Sequence, residues 1–374
     1  MFFGFKPLGG IQEMRALERI GSLPTMCREL SSQKWIEIPF TAIEVKKDEH
    51  GRAVKLGEGV SGAVYAGRWQ GNDCAIKRFI RDADKEAEFQ AEMGILQLLR
   101  HPHVVNFYGA MTEGVHPDLG SALCIVTELC QTSIHGILQK YGRAVKDATH
   151  GGKSGEPRLS FRHRVVYLLH AAKGLAFLHS KNIIHRDLKS LNLLLTKDKK
   201  VVICDFALSR TTAQNLTQSG LGTPGWIAPE AWLGDPVTTR SDVYGFAMVM
   251  FELLTSESPL AFARLASRNA ELGLMYQICA ENLRPPIRLH GQHTAMDWDR
   301  LEQLEAFFCL QPPSAPATPV AGTAADDESD EEEDIGSGNV LLRRYCKLMK
   351  TCWQRDPRDR PEFSYIVQHL AKMY

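Results

Sequence analysis

The chain has 374 residues, with 44 lysines and arginines balancing 44 aspartates and glutamates, so its length could hold two ordinary domains at zero net charge. Nine cysteines, odd in number and without a C-x-x-C pair, argue for free thiols in a reducing, cytoplasmic setting and against a disulfide framework or a zinc site. No run of 18 apolar residues predicts membrane insertion, and no long basic block with interleaved aromatics predicts nucleic-acid binding.

Residues 1–35 read as an N-terminal extension. The start, Met1-Phe2-Phe3-Gly4-Phe5, lacks the basic n-region and apolar core of a secretory signal, and Phe2 argues against N-myristoylation. Ile11, Met14, Leu17 and Ile20 suit a short amphipathic helix over 10–20. It is expected to dock on the protein, because Glu13 and Glu18 balance Arg15 and Arg19.

Leu56-Gly57-Glu58-Gly59-Val60-Ser61-Gly62-Ala63-Val64-Tyr65 follows. The three glycines let backbone amides approach phosphate oxygens without Cβ interference. Dinucleotide-binding folds place a helix directly after such a loop. Here Ala63–Trp69 reads as a strand, a turn follows at Gly71-Asn72-Asp73, and Cys74-Ala75-Ile76-Lys77 reads as a second strand. A hairpin over phosphate followed by a lysine-bearing strand argues against a Rossmann unit. Lys77 needs a carboxylate to position it. Residues 82–100 predict a helix with an apolar stripe of Phe89, Met93, Leu96 and Leu99. Glu92 falls inside the stripe, whereas Glu86 and Glu88 lie at or beyond its edges. An acid on a buried face is costly unless paired, so Glu92 is the expected partner of Lys77.

The densest chemistry lies at His185-Arg186-Asp187-Leu188-Lys189-Ser190-Leu191-Asn192. Phosphoryl transfer needs a carboxylate to orient and deprotonate a hydroxyl and an amide oxygen to hold a metal ion, and H-R-D-L-x-x-x-N supplies both. Val201-Val202-Ile203-Cys204-Asp205-Phe206-Ala207 is an apolar strand ending in a second candidate metal-binding acid. Cys204 beside it is expected near the nucleotide pocket.

Two segments interrupt the pattern. Residues 143–158 are rich in Gly, Lys and Ser and read as a flexible loop. Residues 289–339 contain an added helix over 297–310 and then a stretch of disorder composition. That stretch holds eight acids between Asp326 and Asp334, which leaves the rest of the chain with eight excess positive charges.

These motifs resemble the eukaryotic protein kinases over 36–374. They are nearest the tyrosine-kinase-like group, with its Raf-like and mixed-lineage serine/threonine kinases. The resemblance is carried by the glycine loop, Lys77, HRDLKSLN, Asp205-Phe206, Gly222–Glu230, Ser241–Phe246 and Cys352-Trp353 through Arg360–Phe363. It implies an α+β, bilobal protein-kinase fold. A small antiparallel β lobe with one key helix (about 36–127) would join through a hinge (128–131) to a larger, mainly helical lobe (132–374).

The resemblance also implies ATP and Mg2+ as cofactors, a protein substrate, and activation by an upstream kinase or by a second copy in trans. Residue by residue, it makes Asp187 the base, with Lys189, Lys77 and Glu92 also catalytic, and Asn192 and Asp205 the metal ligands. ATP would contact Leu56, Gly57, Glu58, Gly59, Val60, Ser61, Gly62, Val64, Ala75, Lys77, Thr127, Glu128, Cys130 and Leu194. Thr127 would be the gatekeeper and Glu128-Leu129-Cys130 the adenine-binding hinge. Leu96, Phe107, His185 and Phe206 would stack as a spine anchored by Asp242, and Glu230 would pair with Arg360. Residues 205–230 would form an activation segment in which Thr217 or Ser219 receives a phosphate that Arg186 binds. Lys189 and Thr223 fit the serine/threonine pattern. Ala207 stands where the family carries glycine, which disfavours any state needing φ > 0 there but removes no chemical group.

Overall fold

A computed structural model describes residues 36–59, 62–79, 83–120, 123–140, 159–211, 222–260, 270–285 and 338–374. Alternating residues build its first layer. β1 (Ile43–Val45), β2 (Lys55–Gly59), β3 (Gly62–Trp69), β4 (Asn72–Phe79), β5 (Phe107–Met111) and β6 (Leu123–Glu128) form one antiparallel sheet in the order β1-β3-β4-β6-β5, with β2 also paired to β3. The pleat sends alternate side chains to opposite faces. Cys74, Ile76, Cys124 and Val126 pack outward with Ile38, Phe40 and Val45. Register pairs Val64 with Lys77, Ala75 with Thr127 and Lys77 with Ile125, so these residues share the opposite face.

That inner face meets α1 (Ala83–Leu96), whose Phe89, Met93 and Leu96 are buried with Phe79 and Phe107. The helix ends at Leu96 and does not run to residue 100. Leu98 N–H bonds to Ile95 O and Leu99 N–H to Leu96 O, which tightens the chain ahead of Pro102, and Leu99 is buried from a non-helical position. The β3–β4 turn also differs from expectation. Gln70 and Gly71 both have positive φ (48° and 80°), and Trp69 pairs with Asn72. This is a two-residue primed turn, which matches strand twist, and it shifts the turn forward to leave Asn72 and Asp73 in the strand.

The second half is mainly helical. It contains β7 (Thr132–Ser133), α2 (residues 134–140), α3 (Phe161–Ser180), β8 (Ile183–Ile184), β9 (Leu193–Leu195), β10 (Val201–Ile203), β11 (Arg210–Thr211), α4 (Pro229–Leu233), α5 (Thr239–Thr255), α6 (Ala270–Cys279), α7 (Gly338–Cys352) and α8 (Phe363–Ala371). β7, β9 and β10 form one ribbon and β8 and β11 another.

α5 is its axis. From Asp242 to Thr255 every residue is buried, the mark of a helix enclosed on all sides. Thr238 caps it and Ser241 completes a capping box, and the Ser241 hydroxyl also donates to Glu230 at 2.7 Å. Arg360, 1% exposed, donates to both Glu230 oxygens at 2.7 and 2.8 Å. The Tyr244 ring lies between the Arg360 and Arg284 guanidiniums, 5.1 and 5.2 Å from its centroid. Among the described residues no disulfide forms and no helix is long and apolar enough to cross a membrane. The expectations for 1–35, 143–158, Thr217 and Ser219, and those for 289–337, lie outside the described residues, as do Val60 and Ser61.

Candidate active site

Lys77, from the inner face of β4, donates to Glu92 Oε1 and Oε2 at 3.0 and 2.7 Å and to Asp205 Oδ1 at 2.7 Å. Glu88 instead pairs with Lys85, one turn earlier on α1. Burial opposes the Lys77 charge, but Glu92 and Asp205 more than offset it and hold its pKa above the ordinary value. Burial pushes Asp205 up, and Lys77 pulls it further down, to below the usual carboxylate range. Burial also pushes Glu92 up. Lys77 and the Phe206 amide pull against that rise, while Asp205 adds to it. One cation thus faces two carboxylates, an imbalance that a divalent ion would offset.

The catalytic loop sits under this triad. Asp242, 2% exposed in the first turn of α5, accepts from His185 N–H at 2.8 Å, Arg186 N–H at 2.9 Å and His179 Nε2 at 2.8 Å. Burial would raise its pKa, but the His179 hydrogen bond and nearby histidine charge hold it below the ordinary value. His185 Nε2 donates to Cys204 O at 3.0 Å, and Cys204 N–H donates to Asn192 O at 3.0 Å, which joins the loop to the strand carrying Asp205. The His185 and Phe206 rings meet edge-on, 5.4 Å apart, and Leu96 and Phe107 are buried in the same core.

Asp187 is enclosed by donors. Lys189 Nζ bonds its Oδ2 at 2.6 Å, the Thr223 hydroxyl its Oδ1 at 2.7 Å, and Asn192 Nδ2 its Oδ2 at 3.0 Å. Lys189 also reaches the Thr223 hydroxyl at 2.7 Å, so the three side chains close a triangle. Asn192 Nδ2 bonds Asp187 O at 2.7 Å as well. Because the amide nitrogen is committed to Asp187, its oxygen is the atom left for a cation. Asn192 and Asp205 offer hard oxygen donors. Among the described residues no group of three or more His, Cys, Asp and Glu could hold a metal alone. Magnesium is ordinarily held by one or two protein oxygens together with nucleotide phosphates, so this donor set fits it. Arg186 and Asp205 flank the centre with φ of 69° and 63°, a left-handed strain that clusters at functional sites. Ala207 shows no positive φ. It opens a turn closed by Ser209 N–H on Phe206 O at 3.0 Å, so alanine fits this inward arrangement without strain.

On the nucleotide side, Val64, Ala75, Thr127, Cys130 and Leu194 are all half-buried, and Leu56 is exposed. Glu128 fixes the hinge, since its N–H donates to Asn106 O at 3.0 Å and its carboxylate accepts from Asn106 N–H at 2.8 Å. Gly57 and Gly59 have open space where a Cβ would stand. Gly62 does not: at φ 137° its Cβ would lie 2.1 Å from Arg78 O. Close backbone contact within the hairpin, rather than phosphate access, therefore demands the third glycine. Burial pushes the Cys130 thiol up to about 12 and the Cys204 thiol well above its ordinary value, so both stay protonated.

Motif reading passed over Ser190, Trp226 and Glu252. Glu252 accepts from Ser190 N–H at 3.2 Å, from the Ser190 hydroxyl, and from Trp226 Nε1 at 2.8 Å. One signal could have flagged it: it is the only acid in the run Val243–Thr255.

Residues 51–370 match the protein kinase domain family. The serine/threonine-protein kinase CTR1 of Arabidopsis thaliana is 33% identical over 296 residues, covering 76% of this chain and 33% of that protein. A probable serine/threonine-protein kinase of Dictyostelium discoideum is 35% identical over 340 residues, covering 89% of this chain and 29% of its own length. The dual specificity protein kinase shkD of the same organism is 28% identical over 337 residues, 88% of this chain and 35% of shkD. The chain spans about a third of the length of these curated relatives. With the family match running through nearly the whole described fold, from the glycine strand to α8, the chain belongs to the protein kinase domain family.

Proposed function

We propose that the chain is a cytoplasmic serine/threonine protein kinase that moves the γ-phosphoryl group of ATP to a protein hydroxyl. The observation that carries this reading is the Asp187–Lys189–Thr223 triangle, closed by contacts of 2.6, 2.7 and 2.7 Å. Asp187 would accept the proton of the incoming hydroxyl. Lys189 would steady the charge that develops beside it, and Thr223 fixes the orientation of both. Lys77, held by Glu92, would position the α- and β-phosphates. A magnesium ion, when bound through Asn192 and Asp205, neutralises phosphate charge. Val64, Ala75, Leu194 and Leu56 would enclose the adenine, against the hinge at Glu128–Cys130.

A scaffold that only binds nucleotide is disfavoured, because Lys77, Glu92, Asp187, Asn192 and Asp205 are all present and assembled. Dual specificity is the second reading, prompted by the shkD likeness. Arg186 and Arg210 oppose one another's charge, and a phosphate on Thr217 or Ser219 would relieve that repulsion and order the segment. One assay tests these readings together: incubate the chain with Mg2+ and labelled ATP and identify the phosphorylated residues. Phosphoserine and phosphothreonine are expected. Phosphotyrosine in comparable yield would favour the second reading, and no transfer at all would favour the scaffold.

A further inference from the structure

α5 is a ruler for the catalytic loop. Asp242 binds the amides of His185 and Arg186. Gly245, one turn on, packs so closely that a Cβ there would stand 3.3 Å from Leu188 and 3.6 Å from Trp226 O. Glu252, two turns further along the same face, binds Ser190 and Trp226. Loop residues 185, 188 and 190 are thus met in order by helix residues 242, 245 and 252.

Glu252 differs from the other two contacts because it joins two segments. Ser190 follows Lys189 directly. Trp226 closes the turn begun by Thr223, its N–H donating to Thr223 O at 3.1 Å. The carboxylate therefore ties the loop bearing Asp187 and Lys189 to the segment bearing Thr223, from beneath, at 2% exposure. All its partners are donors: two N–H groups share Oε2 and the Ser190 hydroxyl takes Oε1. His135 Nδ1 stands 3.5 Å from that hydroxyl on its other side.

We propose that Glu252 is a positioning residue for the protein substrate, setting the separation between Asp187 and the Thr223–Trp226 segment along which the acceptor hydroxyl approaches. It touches neither nucleotide nor metal ligand, so its effect belongs to the acceptor side. The proposal rests on the kinase reading above.

Steady-state kinetics with dephosphorylated casein and Mg-ATP test it, with nucleotide affinity measured separately. Glu252→Leu orphans three buried donors. It should cut kcat/KM for casein at least about tenfold, the scale of a modest misplacement, while ATP affinity stays within about twofold. Glu252→Gln can still accept from Trp226 and Ser190 N–H and donate to the Ser190 oxygen. It should recover casein kinetics to within about threefold of the parent. Trp226→Phe removes only one of the donors, and should raise KM for casein with KM for ATP unchanged. Equal losses in casein turnover and ATP affinity for Glu252→Leu would overturn the proposal, as would failure of Glu252→Gln to recover. If Glu252→Leu does not fold, parental casein kinetics in Trp226→Phe would do the same. A parent that transfers no phosphate to casein or to itself would instead sink the kinase reading.

Discussion

The glycine strand β2 and the catalytic loop face each other across one site and are built in opposite ways. Every residue of β2 is exposed, Gly57 and Gly59 have no atom near a would-be Cβ, and the charged pair on the strand, Lys55 with Glu58, is internal to it. In the catalytic loop His185, Asp187, Leu188, Ser190 and Asn192 are buried, and their polar groups are taken up by Asp242, Lys189, Thr223 and Glu252. The side that admits a ligand is left short of protein partners, so the ligand itself must supply them. The side that performs the chemistry has its hydrogen bonds in place beforehand and needs little reorganisation during reaction.

The comparison breaks most visibly at Asp187. Asp187→Asn should leave nucleotide affinity intact and lower phosphoryl transfer by about 10²–10⁴-fold, the usual contribution of a positioned base. Labelled-ATP transfer and a nucleotide titration measure the two halves separately, and a parental transfer rate would place the base elsewhere.

A second test uses pH on the prearranged side. Burial pushes the Glu252 carboxyl from 4.5 up to about 7, against the Ser190 and Trp226 hydrogen bonds and the Lys189 charge. Between those values the folded chain holds a proton that the unfolded chain has released, so stability falls as pH rises through the window. The full contribution is about 3 kcal/mol, present below pH 4.5 and lost above pH 7. Lys189 and His135 are the titratable groups facing it. Chemical denaturation of parent and Glu252→Gln across that range should show a downward trend in the parent that the variant lacks. Parallel curves would mean that Glu252 is ionised throughout.

A third contrast lies within the hairpin. Gly62→Ala meets Arg78 O at 2.1 Å with φ at 137°, and should cost about 1–3 kcal/mol of stability. Gly57→Ala meets nothing, and should stay within about 0.5 kcal/mol while weakening ATP binding. Equal thermal shifts would show that β2 is not open.

The smallest effect belongs to Ala207, at the seam between the two sides. With no positive φ to relieve, Ala207→Gly should lose about 0.4–1 kcal/mol through the unfolded chain and keep turnover near the parent's. A large gain in turnover would mean that alanine restrains catalysis.

Legibility followed sequence distance. HRDLKSLN places Asp187, Lys189 and Asn192 within one short loop, so local spacing exposes them. Glu92 was readable because a helix stripe singles out the acid that must be buried, although α1 stops four residues short of the predicted end. Glu252 was not readable in this way, because its partners Ser190 and Trp226 lie 62 and 26 residues away. Nothing local says which face of an enclosed helix meets them. The role of Gly62 was hidden for a related reason: its constraint is a backbone carbonyl on the neighbouring strand, which no motif records.

The pinning of the chain on either side of residues 286–337 has an evolutionary consequence. Before that stretch, Arg284 Nε donates to Trp353 O at 2.9 Å, and after it the Tyr345 hydroxyl donates to Met250 O at 2.7 Å, deep in the large half. Both flanks are anchored whatever joins them. Once the ends are held, closure entropy grows only logarithmically with the length between, about 0.6 kcal/mol per doubling. Insertions and deletions here are therefore nearly neutral for folding, and new sequence can accumulate at this point while selection acts on it for other reasons.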